Sequence, residues 1–403
     1  MERLISFCGL FVMLFLAWLM SSHKRRIPWR VVIGGTLLQF ALALLVLKTA
    51  GGRRLFNAIG DMFTALLGFT TQGSQLVFPD SPVGHFAFRV LPTIIFVSCL
   101  MSVLYHIGVM QWVVKSFAWL MQRTLGTSGA ETLSASANIF MGQTEAPLLV
   151  RPFLPGMTQS ELNAVMVGGF ATIAGGVMAI YISFGMNAGH LVTASVISAP
   201  AALVIAKLML PETEQPATAD AAHVVVPQPA VNVFEAATIG AMDGVKLAIN
   251  VAAMLIAFTA LVALFNAVLG FIGARFGMTW SLEAAFGLAF APMAWLMGID
   301  AAECRTAGEL LGIKMVLNEF LAYRELGTML KTANGPALSP RTVTILTYAL
   351  CGFSNFASIG IQIGGMGSMA PERRSDLARL GLRAMLGGTL ACNMTACVAG
   401  VIL

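Results

Sequence analysis

Eight stretches of this chain are each apolar for about the length of a membrane crossing, and that repetition restricts the fold more than any other feature. They lie at residues 4–20, 31–48, 90–110, 162–184, 191–210, 247–274, 342–364 and 381–403. A helix needs roughly 20 apolar residues to span a hydrocarbon core. Lipid offers no water to stray backbone groups, so only helices or closed barrels cross it, and runs this long read as helices. Charge agrees with this reading. Only 11% of the 403 residues are charged, against about 25% in soluble chains, which leaves too little polar surface for a water-soluble exterior. The expected fold class is an all-α polytopic membrane protein with eight transmembrane helices.

The net charge of +5 does not indicate a nucleic-acid partner, because the basic residues sit in short loops between apolar runs, as the positive-inside rule requires. Lys24, Arg25, Arg26 and Arg30 follow the first run, Leu4 to Met20. A signal peptide carries its positive charge before the apolar run and a small-residue cleavage site after it, so this segment reads as a retained helix with its N-terminus outside. The loops at 21–30 and 371–380, the second holding Arg373, Arg374 and Arg379, are then cytoplasmic, and eight crossings return the C-terminus to the outside. The six cysteines form no C-x-x-C pair and read as small buried hydrophobes rather than metal ligands or disulfides.

Residues 52–72 and 232–244 are amphipathic and suit helices lying in the membrane interface. The stretch 211–231, rich in Pro, Ala and acids, reads as a flexible cytoplasmic linker. Two further regions, 126–157 and 280–322, each carry two short half-apolar arms around a polar or glycine-bearing middle. The first places Asn138, Gln143, Thr144 and Glu145 at mid-membrane depth. The second is expected to turn near Gly298 and run on to Asn318 and Glu319. Charges at the bilayer centre cost several kcal/mol, so neither fits as one span. Re-entrant hairpins buried in protein accommodate both.

An internal echo supports this arrangement. Phe170-Ala171-Thr172-Ile173-Ala174-Gly175 resembles Phe356-Ala357-Ser358-Ile359-Gly360, and each follows a glutamate, Glu145 by 25 residues and Glu319 by 37. Two halves, each with a hairpin and then a span broken by Gly and hydroxyl residues, are the sequence signature of inverted-repeat transporters.

Intramembrane carboxylates read by default as functional; the alternative is a buried ion pair with Arg151, Arg305 or Lys314. Gln143 and Asn355 add amides, and Thr144 and Ser358 add hydroxyls. With Glu145 and Glu319 they can satisfy a polyhydroxylated solute: carboxylates accept from ribose-type hydroxyls, and amides read a base edge. Val177, Leu247 and Phe353 supply apolar surface on or near the broken spans, which a base requires on its faces. Sodium is a hard cation that takes oxygen ligands. Asn138 offers a side-chain carbonyl and Thr172 a hydroxyl, with unwound backbone near Met141, Ile173 and Gly176 for the rest. Gly175-Gly176 fits either a helix break or the close approach of two helices.

The motifs Gly142-Gln143-Thr144-Glu145-Ala146-Pro147-Leu148-Leu149, Asn318-Glu319-Phe320 and Cys351-Gly352-Phe353-Ser354-Asn355-Phe356 resemble the concentrative nucleoside transporter family in its short bacterial form. The resemblance runs over nearly the whole chain. It implies a homotrimer in a bacterial inner membrane, both termini periplasmic, each protomer having a scaffold and a mobile transport domain. It assigns Gln143, Thr144 and Glu145 to the base and Glu319, Asn355 and Ser358 to the ribose, with Val177, Phe353 and Leu247 lining the pocket. Sodium falls on Asn138, Met141, Thr172, Ile173 and Gly176. Proton-coupled members resemble this pattern without the asparagine at the Asn138 position, so sodium is the expected coupling ion, with no other cofactor. Gly176 stands where a hydroxyl or larger residue is common, so only its backbone is available to a cation.

The implied organisation is 1–125 scaffold and interfacial helices, 126–187 first hairpin and broken fourth span, and 188–278 scaffold spans with the linker. Residues 279–370 form the second hairpin and broken seventh span, and 371–403 the last scaffold span. The expected activity is sodium-driven import of nucleosides such as uridine, cytidine or adenosine by elevator-type motion. Proton symport is the nearest alternative. An intramembrane enzyme is disfavoured, because no Ser-His or metal-ligand spacing accompanies the glutamates, and a channel because hairpins and a repeat suit alternating access.

Overall fold

The structure, a computed structural model, describes residues 1–78, 86–219, 230–277, 280–331 and 338–403. It is all-helical among those residues. The first half comprises α1 (Glu2–Leu19), α2 (Trp29–Lys48), α3 (Ala50–Val77), α4 (Phe86–His106), α5 (Val109–Leu125), α6 (Gly129–Ala137), α7 (Gln159–Ala171), α8 (Gly175–Ser183) and α9 (Ala188–Met209). The second comprises α10 (Val233–Ala274), α11 (Leu282–Leu296), α12 (Cys304–Val316), α13 (Glu319–Lys331), α14 (Pro340–Ala349), α15 (Phe356–Met369) and α16 (Arg374–Ile402).

Every one of the eight apolar runs falls on helix, the fourth and seventh each on a broken pair, α7–α8 and α14–α15. By length and apolarity among the described residues, α1, α2, the α7–α8 unit, α9 and α16 qualify as crossings, with α4 and α5 a sixth as one bent pair. Burial separates their roles. The apolar window of α9 is 100% buried and that of α1 only 28%, so α9 is the central post. Its sequence is small and aliphatic on all sides, as a fully surrounded helix demands. Phe7, Phe11 and Phe15 on α1, and Ile33, Leu37 and Leu44 on α2, face outward, where lipid is as apolar as a core.

Several expectations are corrected. Residues 232–244 are not a separate interfacial helix. They are the first turns of α10, a single 42-residue helix of about 63 Å at 1.5 Å per residue, which packs along α4. Residues 109–125 form α5, unassigned from sequence, bent 75° from α4 at Gly108, whose φ of +89° only glycine adopts freely. Of the linker, residues 220–229 lie outside the described residues. In the second half, Gly298 (φ +80°) turns α11 into α12, as expected, but the break that places Glu319 lies further on, at Leu317–Asn318 between α12 and α13. The two short arms around the second glutamate are therefore 304–316 and 319–331. Cys8 is exposed and Cys99 half-buried, the other four cysteines being buried.

The feet of α6 and α7 are fixed by a buried charge cluster. Ser128 and Thr158 cap these helices with Glu131 and Glu161 as capping-box partners. The Lys207 ammonium near the end of α9 lies 2.7 Å from Glu131 and 3.2 Å from Glu212 and donates to Ser160. Breaking such a buried pair costs about 3–5 kcal/mol, so the cluster ties the feet of α6 and α7 to the end of α9 while α6 carries its polar tip away from it.

Candidate functional site

Two breaks in helical spans face each other in the centre. Residues 172–174 interrupt α7 and α8, and residues 350–355 interrupt α14 and α15. Broken helices leave backbone groups without intrahelical partners, and here the two breaks satisfy one another: the Phe353 N–H donates to the Thr172 carbonyl at 3.2 Å. The tip after α6 joins them, since the Gly175 N–H donates to the Phe140 carbonyl at 3.0 Å. A Cβ on Gly175 would stand 2.9 Å from that same oxygen. Gly175 thus serves both readings left open by the sequence, following a break and permitting a close approach.

Around this junction runs a buried chain of hydrogen bonds. Glu319, the first residue of α13, accepts from the Tyr181 hydroxyl at 3.0 Å and from Nδ2 of Asn355 at 3.1 Å. Asn355 caps α15, its Oδ1 accepting from the Ser358 N–H at 2.9 Å. The Ser358 hydroxyl receives Nε2 of Gln143 at 3.1 Å, and Oε1 of Gln143 accepts from Nε2 of Gln362 at 3.1 Å. Gln143, Glu319, Asn355 and Ser358, drawn from three segments of the chain, are all buried. An ionised carboxylate offers about four acceptor sites, and protein donors occupy two of those on Glu319, so acceptor capacity remains for a solute hydroxyl.

The ion-pair alternative for the glutamates is not realised among the described residues. Lys314 is buried and donates to the Ala349 carbonyl at 2.7 Å, placing a cation at the C-terminal end of α14 where the helix dipole favours it. Arg305 lies 3.9 Å from Glu309, and Arg151 is exposed.

A second, smaller site adjoins the first break. Asn138 ends α6 wholly buried, and neither Nδ2 nor Oδ1 has a hydrogen-bond partner among the described residues. Leaving a buried amide unmet costs about 1–3 kcal/mol per group, so the position calls for a ligand. Its Nδ2 lies against Gly168, 3.2 Å from where a Cβ would be, and the Thr172 hydroxyl donates to the carbonyl of that same Gly168 at 3.0 Å. Thr172 and Ile173 are buried in the unwound stretch. These oxygen donors, with no thiolate or imidazole, fit a hard cation.

The remaining expected residues take other places. Thr144 packs on α15, 2.9 Å from where Gly365 would carry a Cβ. Glu145 is exposed, its carboxylate folded against Gly142. Val177 is buried in α8, Phe353 half-buried at the second break, and Leu247 half-buried on α10. Met141 is half-buried at the α6 tip, whereas Gly176 lies within the first turn of α8 rather than in the unwound stretch. Sequence reasoning missed Tyr181, which stacks on Tyr323 with ring centroids 4.2 Å apart, and Gln362. Gln362 was legible in principle: it is polar within an apolar run and lies four residues, one helical turn, after Ser358.

Family profiles match the chain in order. They are described as Na+ dependent nucleoside transporter N-terminus over residues 8–81, Gate (nucleoside recognition) over 87–188, and Na+ dependent nucleoside transporter C-terminus over 190–400. The chain is 45% identical over its full length to solute carrier family 28 member 3 of Mus musculus, of which it spans 59%. It is 46% identical to an uncharacterized transporter of Haemophilus influenzae, covering all of this chain and 98% of that one. Its fold matches CNTnw in an inward-facing substrate-bound state, with TM-score 0.94 and 42% identity over 100% of this chain and 98% of that one. An outward-facing variant of CNTnw matches with TM-score 0.94 and 42% identity, over 100% and 97% of the two chains.

Proposed function

Because the chain belongs to the family of Na+ dependent nucleoside transporters, we propose that it imports nucleosides such as uridine, cytidine or adenosine by sodium symport. The observation that carries this reading is the hydrogen-bonded chain from Tyr181 through Glu319, Asn355 and Ser358 to Gln143, in the same tip as Asn138, whose amide has no hydrogen-bond partner among the described residues. In the proposed pocket Glu319, Asn355 and Ser358 hold the ribose. Gln143, with Thr144 and Glu145, reads the base, and Val177, Phe353 and Leu247 flank its faces. Asn138, Thr172 and the carbonyls of Met141 and Ile173 hold sodium, and Gly176 contributes through its backbone.

The chemistry of coupling follows from adjacency. A cation that satisfies Asn138 fixes the α6 tip against the 172–174 break. The same tip, two residues beyond Met141, carries Gln143 into the nucleoside pocket. Ordering one site therefore lowers the cost of filling the other, a positive and reciprocal linkage. Sodium accompanying an uncharged nucleoside moves positive charge inward, so a membrane potential adds about 2.3 kcal/mol per charge per 100 mV.

The wider architecture belongs to the same proposal. The eight spans are α1, α2, α4, α7–α8, α9, α10, α14–α15 and α16. The re-entrant hairpins are α6 with the 3-10 turns after it, and α12 with α13. An inverted repeat is supported by the matching order in each half: a short helix, an unwound carboxylate segment and a broken span. Between scaffold segments 1–125, 188–278 and 371–403, the segments 126–187 and 279–370 form the moving domain of an elevator. The outward apolar faces of α1, α2 and α10 suit lipid and a homotrimer in a bacterial inner membrane, with both termini periplasmic.

The test is counterflow of labelled uridine and adenosine in proteoliposomes with and without sodium. Sodium-dependent exchange is expected. Uptake driven by a pH step in sodium-free buffer would replace sodium by protons, and no nucleoside exchange would remove the function altogether.

A further inference from the structure

A side-chain amide has one end that only accepts and one that only donates. Which end of Gln143 faces a bound base must be set by a neighbour whose own polarity is not in doubt. The Met166 carbonyl is that neighbour. It can only accept, and it accepts from Nε2 of Gln362 at 3.1 Å. The same Nε2 donates to Oε1 of Gln143 at 3.1 Å. The oxygen end of Gln143 is thereby committed, and its Nε2 is turned away, towards Ser358 Oγ at 3.1 Å.

Gln362 is wholly buried, and its own Oε1 has no partner among the described residues, so its nitrogen alone sets its orientation. The three-way junction depends on Gly169, where a Cβ would stand 2.7 Å from Nε2 of Gln362 and 3.0 Å from Cβ of Gln143.

We propose that Gln362 is a specificity-positioning residue: by holding the oxygen end of Gln143, it makes the pocket offer an N–H to the base edge and so favours bases with a carbonyl there over bases with an exocyclic amine. The inference rests on the reading of Gln143 as a base-facing residue. Nε2 of Gln143 carries two hydrogens; one is used on Ser358 and the other is left for the base. A ring carbonyl accepts it. An exocyclic amine would set donor against donor, leaving both unpaired, which costs more than a missing bond. Uridine and cytidine share the ribose and differ in this respect at one ring position.

A glutamate at 362 reverses the polarity while keeping both contacts that the Gln362 nitrogen makes, to the Met166 carbonyl and to Gln143. As the neutral acid, its hydroxyl donates to the Met166 carbonyl while the same oxygen accepts from Nε2 of Gln143. Gln143 must then turn its amide over, presenting oxygen to the base and to Ser358, whose hydroxyl becomes the donor.

The experiment measures sodium-driven uptake of uridine and of cytidine in proteoliposomes by the unaltered protein, Gln362→Glu, Gln362→Met and Gln143→Leu. The readout is the ratio of the two kcat/KM values within each protein, which cancels losses of folding or insertion. The unaltered protein is expected to favour uridine. Gln362→Glu should shift the ratio towards cytidine by about tenfold, one hydrogen bond made against one unmade. Gln362→Met, which frees Gln143 to rotate, should bring the ratio close to one. An unchanged ratio in Gln362→Glu while Gln143→Leu shifts it overturns the inference and leaves Gln143 in the site. An unchanged ratio in Gln143→Leu overturns both. If the glutamate variant does not insert, a ratio in Gln362→Met equal to that of the unaltered protein is sufficient to overturn the proposal.

Discussion

Glu319→Gln removes a charge and almost nothing else, which makes it the sharpest test of the pocket. Glu319 is 5% exposed, and its carboxylate takes its two protein bonds from Tyr181 and Asn355 at 3.0 and 3.1 Å. The glutamine oxygen can keep the Asn355 bond, and its amide can donate to the Tyr181 hydroxyl, which reverses role. Folding should therefore be nearly unaffected, with a melting temperature within about 2 °C of the parent for a ΔΔG under about 0.5 kcal/mol. Binding is another matter. Hydrogen bonds to a charged acceptor contribute about 1.5–3 kcal/mol against about 0.5–1.5 for a neutral one, a difference of about 1–1.5 kcal/mol per ribose hydroxyl. Two hydroxyls give about 2–3 kcal/mol, or a fall in uptake kcat/KM of roughly 30- to 150-fold. The assay is the initial rate of sodium-dependent uridine uptake into proteoliposomes, repeated with 2′-deoxyuridine. If Glu319 holds the diol, removing one hydroxyl should penalise the parent more than the variant, as a double-mutant cycle requires. Uridine uptake within about threefold of the parent, or equal penalties for the deoxy substrate, would refute the assignment.

Other consequences follow from single residues. Asn138→Leu replaces two buried polar atoms that have no partner among the described residues with a shape of similar size. It should raise the melting temperature in sodium-free buffer, since each unmet group costs about 1–3 kcal/mol, while abolishing both the stabilisation by sodium and sodium-dependent uptake; a persisting sodium-induced rise would place the cation elsewhere. Gly175→Ala drives a methyl to 2.9 Å from the Phe140 oxygen and should cost about 1–3 kcal/mol. It should also weaken sodium binding in a thermal-shift titration, and unchanged values would mean the α6 tip yields freely. Lys207→Met strands Glu131, its partner at 2.7 Å, and should lower stability by about 3–5 kcal/mol. Adding Glu131→Gln should recover much of that loss in thermal melts, whereas strictly additive losses would show the two groups to be uncoupled.

Particular elements show how far the sequence reaches. Eight apolar runs fell on helix because lipid permits no other open backbone, and composition alone records that constraint. Gln143, Glu319, Asn355 and Ser358 stood out because polar groups in apolar runs are costly unless used. The turn at Gly298 was legible, because a glycine is a visible turn signal, whereas the further break beside Glu319 carried no such signal. The break at Leu317–Asn318 is made by packing and by Asn318 accepting from the Leu321 N–H. The length of α10 escaped because an amphipathic start and an apolar continuation look like two elements when read by composition.

The sequence alone determined the membrane class, the helical content and which polar residues interrupt apolar runs, since each follows from a local cost of burying polar or charged groups. Only the tertiary structure decided which of them meet. It joined Gln143 to Ser358 across 215 residues, set Glu145 and Leu247 apart from that chain, and brought in Tyr181 and Gln362. It also left the Asn138 amide without a hydrogen-bond partner among the described residues. Those outcomes depend on how two broken spans cross and satisfy each other's backbone, a long-range geometry to which no run of neighbouring residues refers.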